Sequence, residues 1–274
     1  MVEQDVVAWG NLAERTEAAT VSSLVGLMPP ELAAALGARV EDVAGGTGVR
    51  VDAAPGFAFL NRVLAIGLDA PPTGAQLDEV VAFQQGEGRT IALLQLAPFV
   101  ETPEVVALLE GRGWRRGGTW AKTMRAVGDP PAAETRLRVA PVTPDRADEY
   151  GRVQCIGMEM PRDLAPWCAA QVGATGWHTF AAYDGDELVA MGALFVHGPC
   201  GQLSGAATLP EDRGRGAQSA LMAARIALAR DLGLAYVTAE TGSETPENPN
   251  PSLHNMHRAG LATLYERRNW LLDI

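Results

Sequence analysis

Two arginines and two glycines alternate at Arg213-Gly214-Arg215-Gly216, immediately ahead of an apolar-periodic segment. The stretch reads Leu209-Pro210-Glu211-Asp212-Arg213-Gly214-Arg215-Gly216-Ala217-Gln218, with Ser219 next. The start of a helix leaves four backbone N–H groups without intrahelical partners, and its dipole favours negative charge there. Glycine admits φ > 0 and lets a ligand approach the backbone closely. Arg213 and Arg215 add positive charge to an acidic chain. Together these features suit a diphosphate. The same letters also fit an ordinary Arg/Gly turn. Neither GxGxxG nor GxxxxGK(S/T) is present, which excludes a dinucleotide fingerprint and a P-loop on pattern.

In its context the loop resembles the acyl-CoA pyrophosphate loop of the GNAT superfamily of N-acetyltransferases. That family's pattern, Gln/Arg-x-x-Gly-x-Gly/Ala, falls on Arg213, Gly216 and Gln218, and departs at the last position. The resemblance covers 136–274. The first half follows the same fold in element order alone, with Ala70-Pro71-Pro72-Thr73-Gly74 where the phosphate loop would stand. A tandem arrangement with a degenerate N-terminal half is therefore implied. The implied fold is α/β (α+β), with GNAT-like domains at 1–133 and 134–274. Each would be a mixed, mostly antiparallel sheet flanked by helices, with splayed central strands in the second. The implied cosubstrate is acetyl-CoA, without a metal. Its diphosphate would lie on Leu209, Arg213, Gly214, Arg215, Gly216, Ala217, Gln218 and Ser219. The splayed strands would be 202–208 and 234–240, with pantetheine along the first, past Ala207 and Thr208. Ser204-Gly205-Ala206-Ala207 is small enough to leave that room, the reading its place beside the loop favours over a bulge or tight packing under a helix. Asn250, Ser252 and Asn255 would contact the arm or cap a helix.

Transfer of an acyl group from a thioester to an amine needs a neutral amine and benefits from an acid for the departing sulfur. Glu240, at the end of the second splayed strand and beside Thr241, is the candidate base. The family's usual acid is a tyrosine four residues before a Gly-Phe pair; with Gly260-Leu261 as that pair, Met256 takes its place. His254, His257, Ser252 and Tyr265 are the nearby substitutes. His254 and His257 stand i, i+3 with no third ligand suggested, so no metal is expected. Glu159 and Trp167, with Thr241, are candidates for the acceptor pocket. Trp177 shares that reading, though core packing suits both tryptophans.

The elements that must position these groups are legible from period and punctuation. Helices are expected at 6–27 and 30–36, from Pro71-Pro72-Thr73 to 85, at 105–110, 217–232 and 252–258. Strands are expected near Val49, at 57–68, 91–96, 119–127, 136–142, 178–183, 187–196, 202–208 and 234–240, and from Leu261. Asp184-Gly185-Asp186 is a hairpin turn. Gly128-Asp129-Pro130-Pro131 continues neither neighbour and reads as a linker. The halves repeat one order of elements, and Glu-Thr-Pro-Glu recurs at 101–104 and 244–247. Duplication with divergence is the natural model.

At 274 residues the chain is about two domain equivalents long. Its net charge of −11 disfavours nucleic acid and anionic membrane as partners and favours a small-molecule amine. Three cysteines without CxxC spacing suit a reducing cytoplasm, as monomer or homodimer. The start is acidic where a secretory signal is basic. A non-catalytic acyl-CoA sensor or scaffold, and transfer of another acyl or aminoacyl group, remain alternative readings.

Overall fold

Local rules account for most of the element boundaries. A computed structural model of the chain describes residues 3–54, 57–86 and 89–274. The first half runs α1 (Glu3–Gly26), α2 (Pro30–Leu36), β1 (Ala38–Val43), β2 (Gly46–Val51), β3 (Arg62–Leu64), α3 (Gly74–Gln84), β4 (Ile91–Leu96), α4 (Pro103–Gly111) and β5 (Arg115–Ala126). The second runs β6 (Arg138–Pro141), α5 (Ala147–Gly157), α6 (Ala165–Ala169), β7 (Trp177–Asp184), β8 (Glu187–His197), β9 (Cys200–Thr208), α7 (Ala217–Asp231), β10 (Tyr236–Gly242), α8 (Pro251–Arg258) and β11 (Ala262–Asp273). Thr102 caps α4 and proline opens it, as position N1 tolerates. The left-handed Gly233 follows α7, where that conformation ends helices.

Three expectations need correction. The apolar run 57–68 is not one strand: a short 3-10 turn at Ala58–Leu60 precedes β3, which is only Arg62–Leu64. Asn61 causes the break. Its Oδ1 accepts the Val51 N–H at 3.0 Å, and its Nδ2 donates to the Ala54 and Phe57 carbonyls. The segment before Val49 is a hairpin of β1 and β2, with β1 unforeseen. The apolar period Leu221, Ala224, Leu228 and Leu232, on which the helix expected at 217–232 rests, is not its buried face throughout: Leu232 is exposed, and Met222, Arg225 and Ile226 are buried with Leu221.

Among the described residues the eleven strands form one mixed sheet, in the order β1-β2-β3-β4-β11-β5-β10-β9-β8-β7-β6. Only β3–β4 and β9–β10 are parallel. The order shows an exchange. The last strand of the first half, β5, pairs along β10 of the second, and β11, the last strand of the second, pairs along β4 of the first. β5 and β11 then pair with each other at the centre. The core follows the exchange: Trp270 of β11 is fully buried among Val63, Leu77 and Leu94 of the first half. Its Nε1 donates to Glu101 at 2.7 Å. Helix α1 crosses one face of the sheet and packs on β1 and β2 as well as on β8 and β9. Among the described residues no single helix is long and apolar enough to cross a membrane.

Candidate active site

The amides that begin α7 lack the side-chain partner that helix starts usually find. Its N-cap is Gly216, at φ +82, and no side chain caps the turn. The equivalent start in the first half, α3, is closed by a capping box: Thr73 accepts from the Gln76 N–H, and the Gln76 side chain accepts from the Thr73 N–H. A Cβ at Gly216 would stand 2.3 Å from the Glu134 carbonyl oxygen, so the loop also needs glycine for space. Gln218 is helical, and its Nε2 donates to Thr208 Oγ1 at 2.8 Å. The departure from the family pattern at this position therefore leaves the helix start intact. The uncapped amides, the two left-handed glycines 214 and 216 and the exposed Arg213 fit a diphosphate.

This helix start opens on a cavity of about 760 Å³. Strands β9 and β10 form the opposite wall because they part company. They pair at Tyr236–Cys200, Val237–Gly201 and Thr238–Gln202, and no further. Beyond that point 203–208 stays with β8, while 239–242 stays with β5. A bulge aids the divergence: the β8–β9 register shifts between Met191 and Ala193, opposite Gly205 at φ +57. The expected splay is thus present, and Gly205, Ala206, Ala207 and Thr208 line it. Gly157 at the end of α5 fits against Ala207 and Thr208, where a Cβ would meet the Ala207 side chain at 2.7 Å.

Of the residues singled out in the sequence, Arg213, Gly214, Gly216, Ala217, Gln218, Ser219, Ala207, Thr208, Ser252, Asn255, Glu240 and Thr241 border this one cavity. Others lie elsewhere. Leu209 is core. Arg215 turns back to pair with Asp212 and with Asp184 at 2.8 Å, bracing the loop from outside. Asn250 caps α8 by accepting from the Ser252 and Leu253 N–H groups. Trp167 is core, its Nε1 donating to the Leu24 carbonyl. Glu159 is exposed and left-handed at φ +56, outside the wall to which its neighbour Met158 belongs. His254 pairs with Glu244 at 2.8 Å in a separate surface depression. Tyr265 lies under α1, where its hydroxyl donates to Glu14 at 2.9 Å. Burial and the neighbouring Glu14 hold its pKa well above the usual tyrosine range, so it stays protonated. Met256 borders the cavity, as the resemblance implied for the position of the absent tyrosine.

Glu240 has an environment that no local pattern announced. Oε1 accepts from Arg62 at 2.9 Å and Oε2 from Arg267 at 2.5 Å, with Lys122 Nζ at 3.6 Å. Glu17 on α1 accepts from Arg267 and lies 2.9 Å from Arg62, and it also pairs with Lys122. Glu14 accepts from Arg267 at 2.6 Å. Three carboxylates and three cations thus neutralise one another beneath α1, contributed by both halves of the chain. Glu240 is the member at the cavity wall, about one-tenth exposed. Burial, the largest influence, raises its carboxyl pKa above the ordinary value against the pull of Arg62, Lys122 and Arg267. Glu17 goes the other way: burial opposes ionisation, but Arg267, Lys122 and Arg62 outweigh it and hold the carboxyl well below its ordinary value. The missed signal was a set of charges inside apolar runs, Arg62 after Asn61 and Glu14 with Glu17 at i, i+3 on α1.

Residues 146–261 match the family model described as acetyltransferase (GNAT) family. No curated protein matches the sequence. Among solved structures, a tandem GNAT protein from the clavulanic acid biosynthesis pathway aligns over 99% of this chain and 95% of its own, at TM-score 0.61 and 15% identity. A GCN5-related N-acetyltransferase from Kribbella flavida aligns over 85% of this chain and 88% of its own, at TM-score 0.59 and 18% identity. A GNAT-family structure from Novosphingobium aromaticivorans aligns over 82% and 88%, at TM-score 0.52 and 15% identity. Residues 146–261 are accordingly a domain of the GNAT acetyltransferase family, set in a chain whose fold is shared with a tandem GNAT protein.

Proposed function

We propose that the chain is an acyl-CoA-dependent N-acyltransferase whose site lies in the second half, 134–274, and whose acceptor is a small-molecule amine. The first half, 1–133, is in this reading a GNAT-like unit without a phosphate loop that supports the site from behind through Arg62, Lys122, Glu14 and Glu17. One observation carries the reading: the uncapped start of α7, the parting of β9 from β10, and Glu240 all border a single cavity.

The family model implies acetyl-CoA as donor. A bound thioester supplies an acyl carbon whose C–S bond breaks as the acceptor's C–N bond forms. The first-turn amides of α7 and Arg213 hold the diphosphate, and Thr208, Ser252 and Asn255 border the arm. Glu240 takes the proton of the ammonium acceptor, since its raised pKa lies nearer the working pH than an ordinary carboxylate's. Arg62 and Arg267 fix its orientation. No side-chain acid is assigned at Met256. The net charge of −11 favours a cationic acceptor over an anionic one. The free, buried cysteines are in keeping with a reducing cytoplasm.

Thermal-shift titration with acetyl-CoA tests the binding half of this reading, since a ligand of the folded state raises its stability with concentration. Ser219→Asp sharpens the test. An acid at the third helical position stabilises the free helix by about 0.3–1 kcal/mol yet repels a diphosphate. The variant is expected to melt no lower than the parent and to lose the ligand-induced shift; an undiminished shift removes α7 from the site. One observation favours a binding-only protein, namely that guanidinium groups hold both Glu240 oxygens. Thiol release from acetyl-CoA with a panel of amines separates turnover from binding.

A further inference from the structure

Six lysine and arginine side chains among the described residues are more than nine-tenths buried, and Arg225 differs from the rest. Arg50 and Arg89 have Asp52 within 4.0 Å, and Arg62, Lys122 and Arg267 have the glutamates beneath α1. Arg225 has no carboxylate partner among the described residues, although it is only 1% exposed. Its Nε donates to the Leu221 carbonyl at 3.0 Å, and Nη1 donates to the carbonyls of Ala193 (3.1 Å) and Ser204 (3.4 Å). Nη2 has no partner among the described residues.

Sequence features make room for it there. Gly192 faces the guanidinium, and a Cβ at that position would stand 2.9 Å from Cζ. The carbonyls that receive Nη1 belong to Ala193 and Ser204, the strand pair next to the β8–β9 bulge. Burial, with no carboxylate to offset it, pulls the Arg225 pKa down to about 10; a minor opposing influence comes from Tyr150, whose hydroxyl is buried without a hydrogen-bond partner. A buried cation in this condition is costly until an anion reaches it.

The cavity shows where that anion would come from. Its wall follows α7 from Gly216 through Met222 to Arg225, a rise of about 13 Å at 1.5 Å per residue. Leu203 and Ala239, the first residues beyond the last β9–β10 pair, lie at that same end. With the diphosphate at the start of α7, the acyl group reaches the end where Arg225 stands. This step rests on the function proposed above.

We propose that Arg225 receives the free carboxylate of a dicarboxylic acyl group, so that the chain prefers a malonyl- or succinyl-type thioester to acetyl-CoA as its donor. An acetyl methyl would fill the space between Leu203, Met222 and Ala239 and leave the guanidinium unmatched. A carboxylate gains a charge-assisted hydrogen bond from Nη2. The acceptor is not concerned, because Arg225 belongs to the helix that holds the donor.

Calorimetric dissociation constants on the full chain, without acceptor, test the proposal with CoA, acetyl-CoA, malonyl-CoA and succinyl-CoA. Malonyl- or succinyl-CoA is expected to bind at least tenfold more tightly than acetyl-CoA. Arg225→Met is expected to bring that ratio within threefold, and Arg225→Lys to retain part of it. The proposal is overturned if acetyl-CoA binds the unaltered chain as tightly as both dicarboxylic esters, or if the preference survives in Arg225→Met. The comparison on the unaltered chain decides the matter even if the variants fail to fold. If CoA and all its esters fail to bind, the function proposed above falls as well; if CoA binds without the preference, only this inference does.

Discussion

Glu17 and Glu240 share the same three cations and titrate in opposite senses. Burial is the largest influence on both and opposes ionisation; at Glu17 the pull of Arg267, Lys122 and Arg62 outweighs it, whereas at Glu240 the neighbouring Glu17 charge adds to it and the same cations do not offset the two. Six charges that balance in a dry interior tolerate no single removal. Taking one partner from such a set costs about 3–5 kcal/mol. Glu17→Gln should therefore lower Tm by on the order of 10 °C at neutral pH. It should also change the acid limb. A carboxyl depressed in the folded state binds its proton more readily when unfolded, so its contribution is complete above the unfolded pKa of about 4.3 and disappears as pH falls through the folded value. The parent chain is expected to lose Tm steeply below about pH 4.3, and Glu17→Gln less steeply. Parallel Tm profiles from pH 3 to 7 would refute the charge assignment.

At the level of elements, the two helix starts differ in how their first amides are met. α3 satisfies its own amides through Thr73 and Gln76, whereas no side chain caps the start of α7. The glycines before α7 also differ from each other. A Cβ at Gly214 meets nothing within 4 Å, but one at Gly216 meets the Glu134 carbonyl at 2.3 Å. Both are left-handed, which costs an alanine about 1–2 kcal/mol. Gly214→Ala should lose only that amount, and Gly216→Ala distinctly more, measured by urea unfolding; equal losses would mean that the Glu134 segment moves aside. Such features were legible because they are local: a glycine pair ahead of an apolar period, a cap, or Asp184-Gly185-Asp186 closing a hairpin. β1 escaped because Arg39, Glu41 and Asp42 make it polar for a strand. The run 57–68 misled because the break at Asn61-Arg62 reads as an interruption within one strand, whereas the Asn61 side chain takes over backbone partners and ends the element. The setting of Glu240 could not be read at all, since Arg62 lies 178 positions away and only the sheet brings them together.

Over the whole molecule, strand exchange makes the sequence boundary near 133 a poor place to divide the structure. Seven residues of β10 pair with β5, and six of β11 pair with β4. A cut at the linker therefore strips each half of the neighbour that covers a strand edge, and exposed edges invite association. It also takes Arg62, Lys122, Glu14 and Glu17 away from Glu240 and Arg267, leaving two charges of opposite sign where six were balanced. The full chain should accordingly melt in one calorimetric transition, with its van't Hoff and calorimetric enthalpies in agreement. Residues 134–274 expressed alone should associate or remain unfolded, and co-expression with 1–133 should recover a folded complex. Two resolved transitions, or a monomeric 134–274 that acetyl-CoA stabilises as much as the full chain, would show that the second half forms its site unaided. In that case β11 must fold back beside β10 in place of β5, and the first half would be an attachment to the site instead of part of its construction.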